Sequence, residues 1–323
     1  MGFWKLAAAL AATCVMGVTQ AQAQAWPAKP ITLIVPFPAG GFTDNVTRPL
    51  AKEMSRVLGV QVVVDNRAGA AGKIGTEAVL RAPKDGYTIG LAVPATLSVL
   101  PLKDPKFPAD PTADFTLITL AIETYSTLVI NPSIPARNLK DFIAYARANP
   151  GKLNYGTPGN ATSYHFNLVQ FNDAAGIDAI NVAYKGEAPA LNDLLAGHVQ
   201  YMMVAGGAKQ HVDGGKIIPL ATTGPRRWDV LPNVPTMTEA GLPGYVKSAW
   251  LGYMGPAGLP ADVTARLNSA FKQALEAPEV KNLLASQGYI VRASSPAEFA
   301  TAIKADLDGF SKVIKSGKVK FED

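Results

Sequence analysis

The chain has 323 residues, of which 48% are hydrophobic and 17% are charged, and its formal net charge is +5 at pH 7. The basic residues are spread along the sequence without a Lys/Arg run, so the pattern argues against a nucleic-acid groove and suits small anionic molecules. Beyond the N-terminal segment no apolar stretch reaches the roughly 18 residues of a membrane span, so a soluble mature protein is expected. About 300 residues exceed what one core usually holds, which favours two lobes.

The N-terminus has the features of an export signal. Lys5 lies in a short basic start, an apolar run spans residues 6–18, and residues 21–25 offer Ala-x-Ala cleavage sites. We expect cleavage after Ala25, with Ala23 as the alternative, and a periplasmic mature protein. The single cysteine, Cys14, lies within this segment. The mature chain is therefore predicted to have no disulfide and no cysteine-based metal site.

The mature chain opens with a strand, a glycine turn and a helix. An apolar strand from Ile31 runs into residues 36–44, which contain two consecutive glycines. Thr43 or Asp44 is expected to supply the cap of the helix that follows. The apolar positions of that helix fall on one face; they are Val46, Leu50, Met54, Val57 and Leu58.

Strand and helix signals continue to alternate through the first hundred residues. Strands are predicted at 61–65 and 87–93 and a helix at 72–82, an order typical of a parallel, doubly wound sheet. Residues 101–111 are Pro-rich and are expected to be irregular. The β-rich segment 114–132 is long enough to carry one strand out of the first lobe and another into a second.

The second half of the chain repeats the opening design. A helix at 138–149 precedes a strand at 152–155, a small-residue loop at 156–160 and a helix at 161–175. The later segments alternate again: strands at 179–184, 200–204, 217–222 and 245–253, and helices at 189–196, 261–275, 278–287 and 296–314.

These patterns predict an α/β protein of two lobes joined by a hinge, each lobe a mixed, mostly parallel sheet flanked by helices. The first lobe is expected to comprise residues 26–126 plus 248–323, and the second residues 127–247. The chain is expected to cross twice between the lobes, as in hinged binding proteins that close about their ligand.

Two loops are predicted to form anion seats. Residues 37–43 and 156–163 each place a small-residue turn and hydroxyl groups where a helix begins, and the first N–H groups of a helix have no intrahelical acceptor. Glycines let the backbone approach a bound group closely. One seat from each lobe could hold two carboxylates, or one carboxylate and a polar group, without a buried Arg or Lys. Three further candidates follow strands on the same rim: Ala95, Thr96 and Lys185.

Catalytic and nucleotide-binding patterns are absent from the sequence. The Gly-rich residues 69–75 lack the spacing of a phosphate loop or a dinucleotide fingerprint, and neither a G-x-S-x-G elbow nor an H-E-x-x-H motif occurs. Ser163 and His165, two apart on a helix, point to different sides. The chain is therefore predicted to be a binding protein without metal or cofactor, and a periplasmic hydrolase that uses these two residues is the alternative.

Several short motifs resemble one known family along nearly the whole mature chain. They are WPAKPI at 26–31, VPFPAGG at 35–41 with Thr43 and Asp44, VDNRAGA at 64–70, DGYT at 85–88, YKG at 184–186, and Pro235-Thr236 with Glu239-Ala240-Gly241. In this order they resemble the substrate-binding proteins of tripartite tricarboxylate transporters, also called Bug receptors.

The resemblance implies a periplasmic receptor that captures a small carboxylate between two lobes and delivers it to a two-component membrane permease. A monomer is expected, and a sensor ectodomain is the alternative partner. The resemblance also implies that backbone amides and hydroxyls of the two glycine loops hold the ligand. Carried onto this sequence, the positions are Phe37, Ala39, Gly40, Gly41, Thr43 and Asp44 in the first lobe and Thr157, Gly159, Ala161, Thr162, Ser163 and His165 in the second.

Phe42 departs from the family pattern, because it is bulkier than the residue that usually follows the glycine pair. It favours an aromatic or other apolar-bodied acid as the ligand. His165 has two open interpretations: it orients the loop or contacts a ligand, or it is a satisfied packing residue.

Overall fold

The strands form two separate mixed sheets. The structure is a computed structural model and describes residues 26–108, 110–160, 162–184, 186–205, 208–317 and 319. The strands of the first sheet are β1 (Ile31–Val35), β2 (Val62–Asn66), β3 (Thr88–Ala92), β4 (Phe115–Thr124), β10 (Ala249–Pro256) and β11 (Ile290–Val291). Those of the second are β5 (Thr127–Ile130), β6 (Asn154–Thr157), β7 (Ile180–Ala183), β8 (Tyr201–Val204) and β9 (Ile218–Thr222).

Helices flank both sheets. Those that lie with the first sheet are α1 (Phe42–Leu58), α2 (Lys73–Leu80), α3 (Leu100–Lys103), α4 (Pro111–Asp114), α9 (Ala261–Glu276), α10 (Pro278–Ser286) and α11 (Pro296–Lys315). Those of the second are α5 (Leu139–Ala148), α6 (Ser163–Ala175), α7 (Glu187–Ala196) and α8 (Lys209–Asp213). A 3₁₀ turn at Ala70–Gly72 precedes α2, and a π-helical turn at Ala95–Val99 precedes α3.

The topology confirms the predicted two-lobed α/β fold. The first sheet has the strand order β11-β4-β10-β3-β1-β2, and the second has the order β7-β6-β8-β5-β9. Strand β1 is parallel to β2 and β3, and β6 is parallel to β7 and β8, whereas β10 and β5 run antiparallel to their neighbours. The carboxyl ends of the parallel strands in each sheet therefore meet at one edge, where ligands of such sheets usually bind.

The apolar runs of the sequence form the core of each lobe. In β1, Ile31, Leu33, Ile34 and Val35 are all buried, because helices cover both faces of the sheet. On α1 four of the five predicted apolar positions are buried and Val57 is half-buried. The predicted helical face is confirmed.

The start of α1 differs from the prediction. The helix begins at Phe42, and its N-cap is the extended Gly41, which provides no side-chain hydrogen bond. The expectation that Thr43 or Asp44 caps this helix is wrong, because the Asp44 carboxylate turns back to accept the Gly40 N–H at 2.8 Å.

Other segments also differ from the prediction. The return strand expected at 245–253 begins only at Ala249, and residues 101–111, expected to be irregular, include the last turn of α3. The short elements α8 and β11 had no sequence signal. The segment 114–132 does divide as expected, since β4 lies in the first sheet and β5 in the second.

The two connections between the sheets lie side by side. Thr223 donates its N–H to the Ser126 carbonyl at 2.8 Å and accepts the Ser126 N–H on Oγ1 at 3.0 Å, while the Lys247 N–H reaches the Thr223 carbonyl at 2.8 Å. Nearby, Trp228 Nε1 donates to the Gly288 carbonyl at 2.9 Å. The lobe boundaries near residues 126 and 248 remain a proposal.

No helix within the described part of the chain is both long and apolar enough to span a membrane.

Candidate functional site

The first predicted loop is held in shape by a buried carboxylate. Asp44, 2% exposed, accepts the Gly40 N–H at 2.8 Å, Arg48 Nε at 2.8 Å and Asn66 Nδ2 at 3.0 Å. Asn66 Nδ2 also donates to the Phe37 carbonyl at 3.1 Å, which ties both ends of the loop to β2. Asp44 thus organises the loop. Since the Gly40 N–H is bonded to Asp44 and the Gly41 N–H donates to the Pro38 carbonyl at 3.4 Å, the donors offered to a ligand are those at the start of the following helix.

Electrostatics keep Asp44 ionised. Burial alone raises the pKa of this carboxyl, but the hydrogen bond from Arg48 and those from the Gly40 amide and Asn66 outweigh it and hold the pKa below its ordinary value. In contrast to Asp44, the neighbouring Ala39, Gly40 and Gly41 are exposed.

The helix start beyond the loop presents backbone donors. The Asn45 N–H makes the first helical bond, to the Gly41 carbonyl at 2.9 Å, so the N–H groups of residues 42–44 precede the intrahelical ladder. The Thr43 side chain is buried, and the ring of Phe42 is 46% exposed. This end of α1 carries the partial positive charge of a helix N-terminus.

The second predicted loop is built in a similar way from different residues. Thr162 is the N-cap of α6: its Oγ1 accepts the His165 N–H at 3.3 Å and donates to the Gly159 carbonyl at 2.9 Å. Gly159 has φ +140°, which an L side chain rarely adopts. Thr162 therefore fixes both the loop and the start of the helix, whose first N–H groups belong to Ser163 and Tyr164.

Thr157 supports this loop from within the second lobe. Its Oγ1 donates to Asn181 Oδ1 at 2.9 Å, and Asn181 Nδ2 in turn donates to Asn160 Oδ1 at 2.9 Å. Thr157 is fully buried. Its hydroxyl is thus engaged in positioning Asn160.

His165 lies in the interior of the second lobe. The side chain is 4% exposed, and its ring centroid lies 6.5 Å from that of Tyr155 and 6.3 Å from that of Phe166. Burial lowers the pKa of the imidazole, which favours the neutral ring. Of the two interpretations of His165, the packing role has the support of these contacts.

Two of the first-lobe candidates meet beside Gly72. A Cβ built on this glycine would lie 2.8 Å from Thr96 Cγ2 and 3.3 Å from Phe37 Cζ, so both side chains press against its backbone. Thr96 Oγ1 donates to the Val93 carbonyl at 3.0 Å. Phe37 and Ala95 are half-buried. Phe37 and Thr96 therefore pack side by side at the base of the first loop.

An aromatic contact lies at the start of α1. The rings of Phe42 and Tyr289 lie 5.2 Å apart by their centroids. Tyr289 directly precedes β11 of the first sheet. The start of α1 therefore packs against the segment that leads into β11.

Two predicted site residues, Ala161 and Lys185, lie outside the described residues, as does the predicted signal segment. Within the described ranges no group of three or more His, Cys, Asp or Glu side chains could hold a metal ion. The remaining site residues stay predictions, placed on two loops at the carboxyl ends of β1 and β6 and, for Ala95 and Thr96, after β3.

The sequence reasoning missed several polar groups around this region. Asn66 and Asn181 hold the two loops, and Tyr289 contacts Phe42 at the start of α1. Asn66 ends β2 at the carboxyl edge of the first sheet, so its position was a signal that could have been used. Tyr289 follows α10 far along the chain and gave none.

Comparison with known proteins identifies relatives along nearly the whole chain. The profile described as tripartite tricarboxylate transporter family receptor matches residues 46–318. A UPF0065 protein in the tcbD-tcbE intergenic region of Pseudomonas sp. (strain P51) is 35% identical over 317 residues, 97% of this chain and 94% of the relative. Protein BugT of Bordetella pertussis is 33% identical over 304 residues and 93% of each chain.

Solved structures share the fold at comparable identity. The periplasmic binding protein BugD is 32% identical with a TM-score of 0.74, covering 92% of this chain and all of the other. The R. palustris protein Rpa4515, solved with adipate, is 32% identical with a TM-score of 0.77, covering 91% and 99%. MatC from Rhodopseudomonas palustris, solved with bound malate, is 30% identical with a TM-score of 0.75, covering 90% and 100%.

Proposed function

The chain belongs to the tripartite tricarboxylate transporter receptor family, and from that premise we propose that it is a periplasmic solute receptor for a small organic carboxylate. The receptor captures the acid between its two lobes and delivers it to a two-component permease of the tripartite tricarboxylate type. Residues 1–25 direct export and are removed near Ala25. Family and fold are those of binding receptors.

One observation carries the proposal: each sheet has a loop at the carboxyl end of a parallel strand that leads directly into a helix start. The loop after β1 leads into α1 in the first lobe, and the loop after β6 leads into α6 in the second. Since each helix start offers backbone N–H groups and partial positive charge, an anion between them is stabilised from both sides. Closure of the lobes on the anion follows from this arrangement.

The ligands of relatives support the carboxylate class. Structures of proteins 32% and 30% identical to this chain contain adipate and malate respectively. Both ligands are small dicarboxylic acids. The exposed Phe42 ring at the edge of the first loop favours an acid with an apolar body.

A receptor that presents its ligand to a sensor ectodomain is the second candidate, because the same closed outer surface would serve either partner. Capture of the purified permease subunits or sensor domain by the receptor, with and without ligand, separates the two. A hydrolase that uses Ser163 and His165 has no support from the geometry, since the His165 ring packs between Tyr155 and Phe166.

Isothermal titration calorimetry tests the proposed function. The mature protein is titrated with malate, adipate, succinate, citrate, benzoate and amino-bearing acids, with a neutral sugar and a simple amine as controls. Saturable binding of at least one acid is expected. Silence from every acid, together with tight binding of the sugar or the amine, would overturn the proposal.

A further inference from the structure

Glu187 introduces a negative charge at the rim of the second lobe. It is the first residue of α7, which follows β7, and its Oε1 accepts the N–H of Ala205, the residue directly after β8. Because β7 and β8 run parallel to β6, their carboxyl ends lie at the same sheet edge as the second loop. Glu187 therefore lies on the edge where the proposed ligand binds.

The carboxylate of Glu187 has spare hydrogen-bonding capacity. Among the residues that the structure describes, the Ala205 amide, 3.2 Å away, is the one hydrogen-bond donor to it. An ionised carboxylate accepts about four hydrogen bonds. The side chain is partly buried, and burial raises its pKa.

Glu187 is also tied to the second loop by its neighbour. Gly186, which directly precedes it, donates its N–H to the Pro158 carbonyl of that loop at 3.1 Å. The start of α7 therefore lies beside the loop that leads into α6.

We propose that Glu187 determines which acid the cleft accepts: it favours a carboxylate that also carries a hydrogen-bond donor, best a protonated amine, over a dicarboxylate of the same length. This inference rests on the proposed function and narrows it. The helix starts hold the ligand's carboxylate, while an ammonium group adds donors to the Ala205 amide, the one that the described residues provide, and forms a charge-assisted hydrogen bond with Glu187. A second ligand carboxylate beside Glu187 is repelled.

Matched ligand pairs test the inference by calorimetry at pH 7.5. Adipate is compared with 5-aminopentanoate, in which an ammonium replaces one carboxylate, and succinate is compared with aspartate, which adds an ammonium. The wild-type protein is expected to bind the amino member of at least one pair about tenfold more tightly, a difference of ~1.4 kcal/mol. Equal or tighter binding of the diacid in both pairs overturns the inference without any variant.

The variant Glu187→Gln provides a second test of the inference. Glutamine keeps an oxygen for the Ala205 amide but removes the charge, so the preference is expected to fall below about threefold and diacid affinity to rise. A gain in diacid affinity cannot come from damage to the fold. The matched control is Glu279→Gln, an exposed charge on α10 with Lys52 at 3.9 Å, which is expected to leave the ratio unchanged.

Different results would overturn the role of Glu187 and the proposed function. If acids bind but the preference survives in Glu187→Gln, Glu187 is not the selecting group and only the inference falls. If no member of either pair and no acid of the wider panel binds the wild-type protein, the proposed function falls and the inference with it.

Discussion

The rings of Phe166 and Phe310 stack with their centroids 4.6 Å apart. Phe166 lies on α6, directly behind the second loop, and Phe310 lies on α11, whose Phe299 and Ile303 pack in the core of the first lobe. This contact anchors the helix that follows the predicted second anion seat against a helix of the other lobe. It is therefore part of what sets the relative position of the two seats.

The stacked pair predicts a loss of stability on truncation. Phe310→Ala removes a side chain that is 4% exposed, and it is expected to lower the free energy of unfolding by ~3 kcal/mol through lost burial and a cavity. Ile180→Ala, on the exposed edge strand β7, is the control and is expected to cost less than ~1 kcal/mol. Urea denaturation measures both, and equal costs for the two variants contradict the anchoring role of Phe310.

Removal of the Asp44 carboxylate is expected to reduce both the stability of the protein and its affinity for the ligand. Asp44→Ala leaves the Gly40 amide and Asn66 without their buried acceptor, at a cost of ~2 kcal/mol in the free energy of unfolding. Ligand affinity is expected to fall as well, because the loop loses the contact that shapes it. Calorimetry and urea denaturation of the same preparation check both effects, and unchanged affinity in a destabilised variant speaks against a role of this loop in binding.

The low pKa of Asp44 also predicts a pH dependence. A carboxyl whose pKa is lowered on folding stabilises the folded state above the unfolded value, which is about 3.9, and loses this contribution as the pH falls through the folded value. The stability gap between wild type and Asp44→Asn is therefore expected to be largest at pH 6 to 7 and to shrink in acid. A gap independent of pH contradicts the charge-dependent role of Asp44.

For Asp306 the contribution to stability is expected to have the opposite pH dependence. Burial raises the pKa of this carboxyl on α11 to about 6, against the hydrogen bond that Trp250 Nε1 donates at 2.7 Å. Because its pKa is raised on folding, its contribution is fully present below pH ~4 and is lost as the pH rises through about 6. Relative to wild type, Asp306→Asn is expected to gain about 2 kcal/mol between pH 4 and pH 7.

The control for Asp306 is Asp308→Asn, an exposed position on the same helix. It is expected to change stability by less than ~0.5 kcal/mol across this range. Thermal or urea denaturation at pH 4, 5, 6 and 7 gives the comparison, and parallel curves for the two variants contradict the burial of the Asp306 charge.

Removal of the Thr162 hydroxyl is expected to destabilise the start of α6, and a serine at this position is expected to restore the cap. Thr162→Ala removes the acceptor for the His165 N–H and the donor to the Gly159 carbonyl, so stability is expected to drop by ~1 kcal/mol. Affinity for the acid is expected to drop at the same time. Thr162→Ser keeps the hydroxyl and is expected to restore both, whereas no recovery in the serine variant contradicts the capping role.

Much of the fold follows from local signals in the sequence. The apolar run of β1 and the helical spacing from Val46 to Leu58 are properties of short segments, so both elements could be predicted from the local sequence. The cap of α1 was mispredicted because Thr43 and Asp44 are good capping residues by type. Only the folded loop, in which Asp44 turns back to Gly40, shows that the glycine takes that place.

Some contacts near the first loop join distant parts of the chain. Phe42 and Tyr289 meet although one follows β1 and the other precedes β11, and no spacing in the sequence records that contact. Glu187 had a weaker local signal, since it follows Gly186 at a helix start. The predicted helix began only at residue 189, so the prediction left Glu187 outside it.

Amide hydrogen exchange with and without the tightest-binding acid of the calorimetric panel tests the central claim most directly. If the two helix starts hold one ligand, binding slows exchange of the amides of residues 42–44 and of residues 163–165 together, while the outer helix α9 is unaffected. Saturable binding that protects only one of these segments, or neither, would contradict the account.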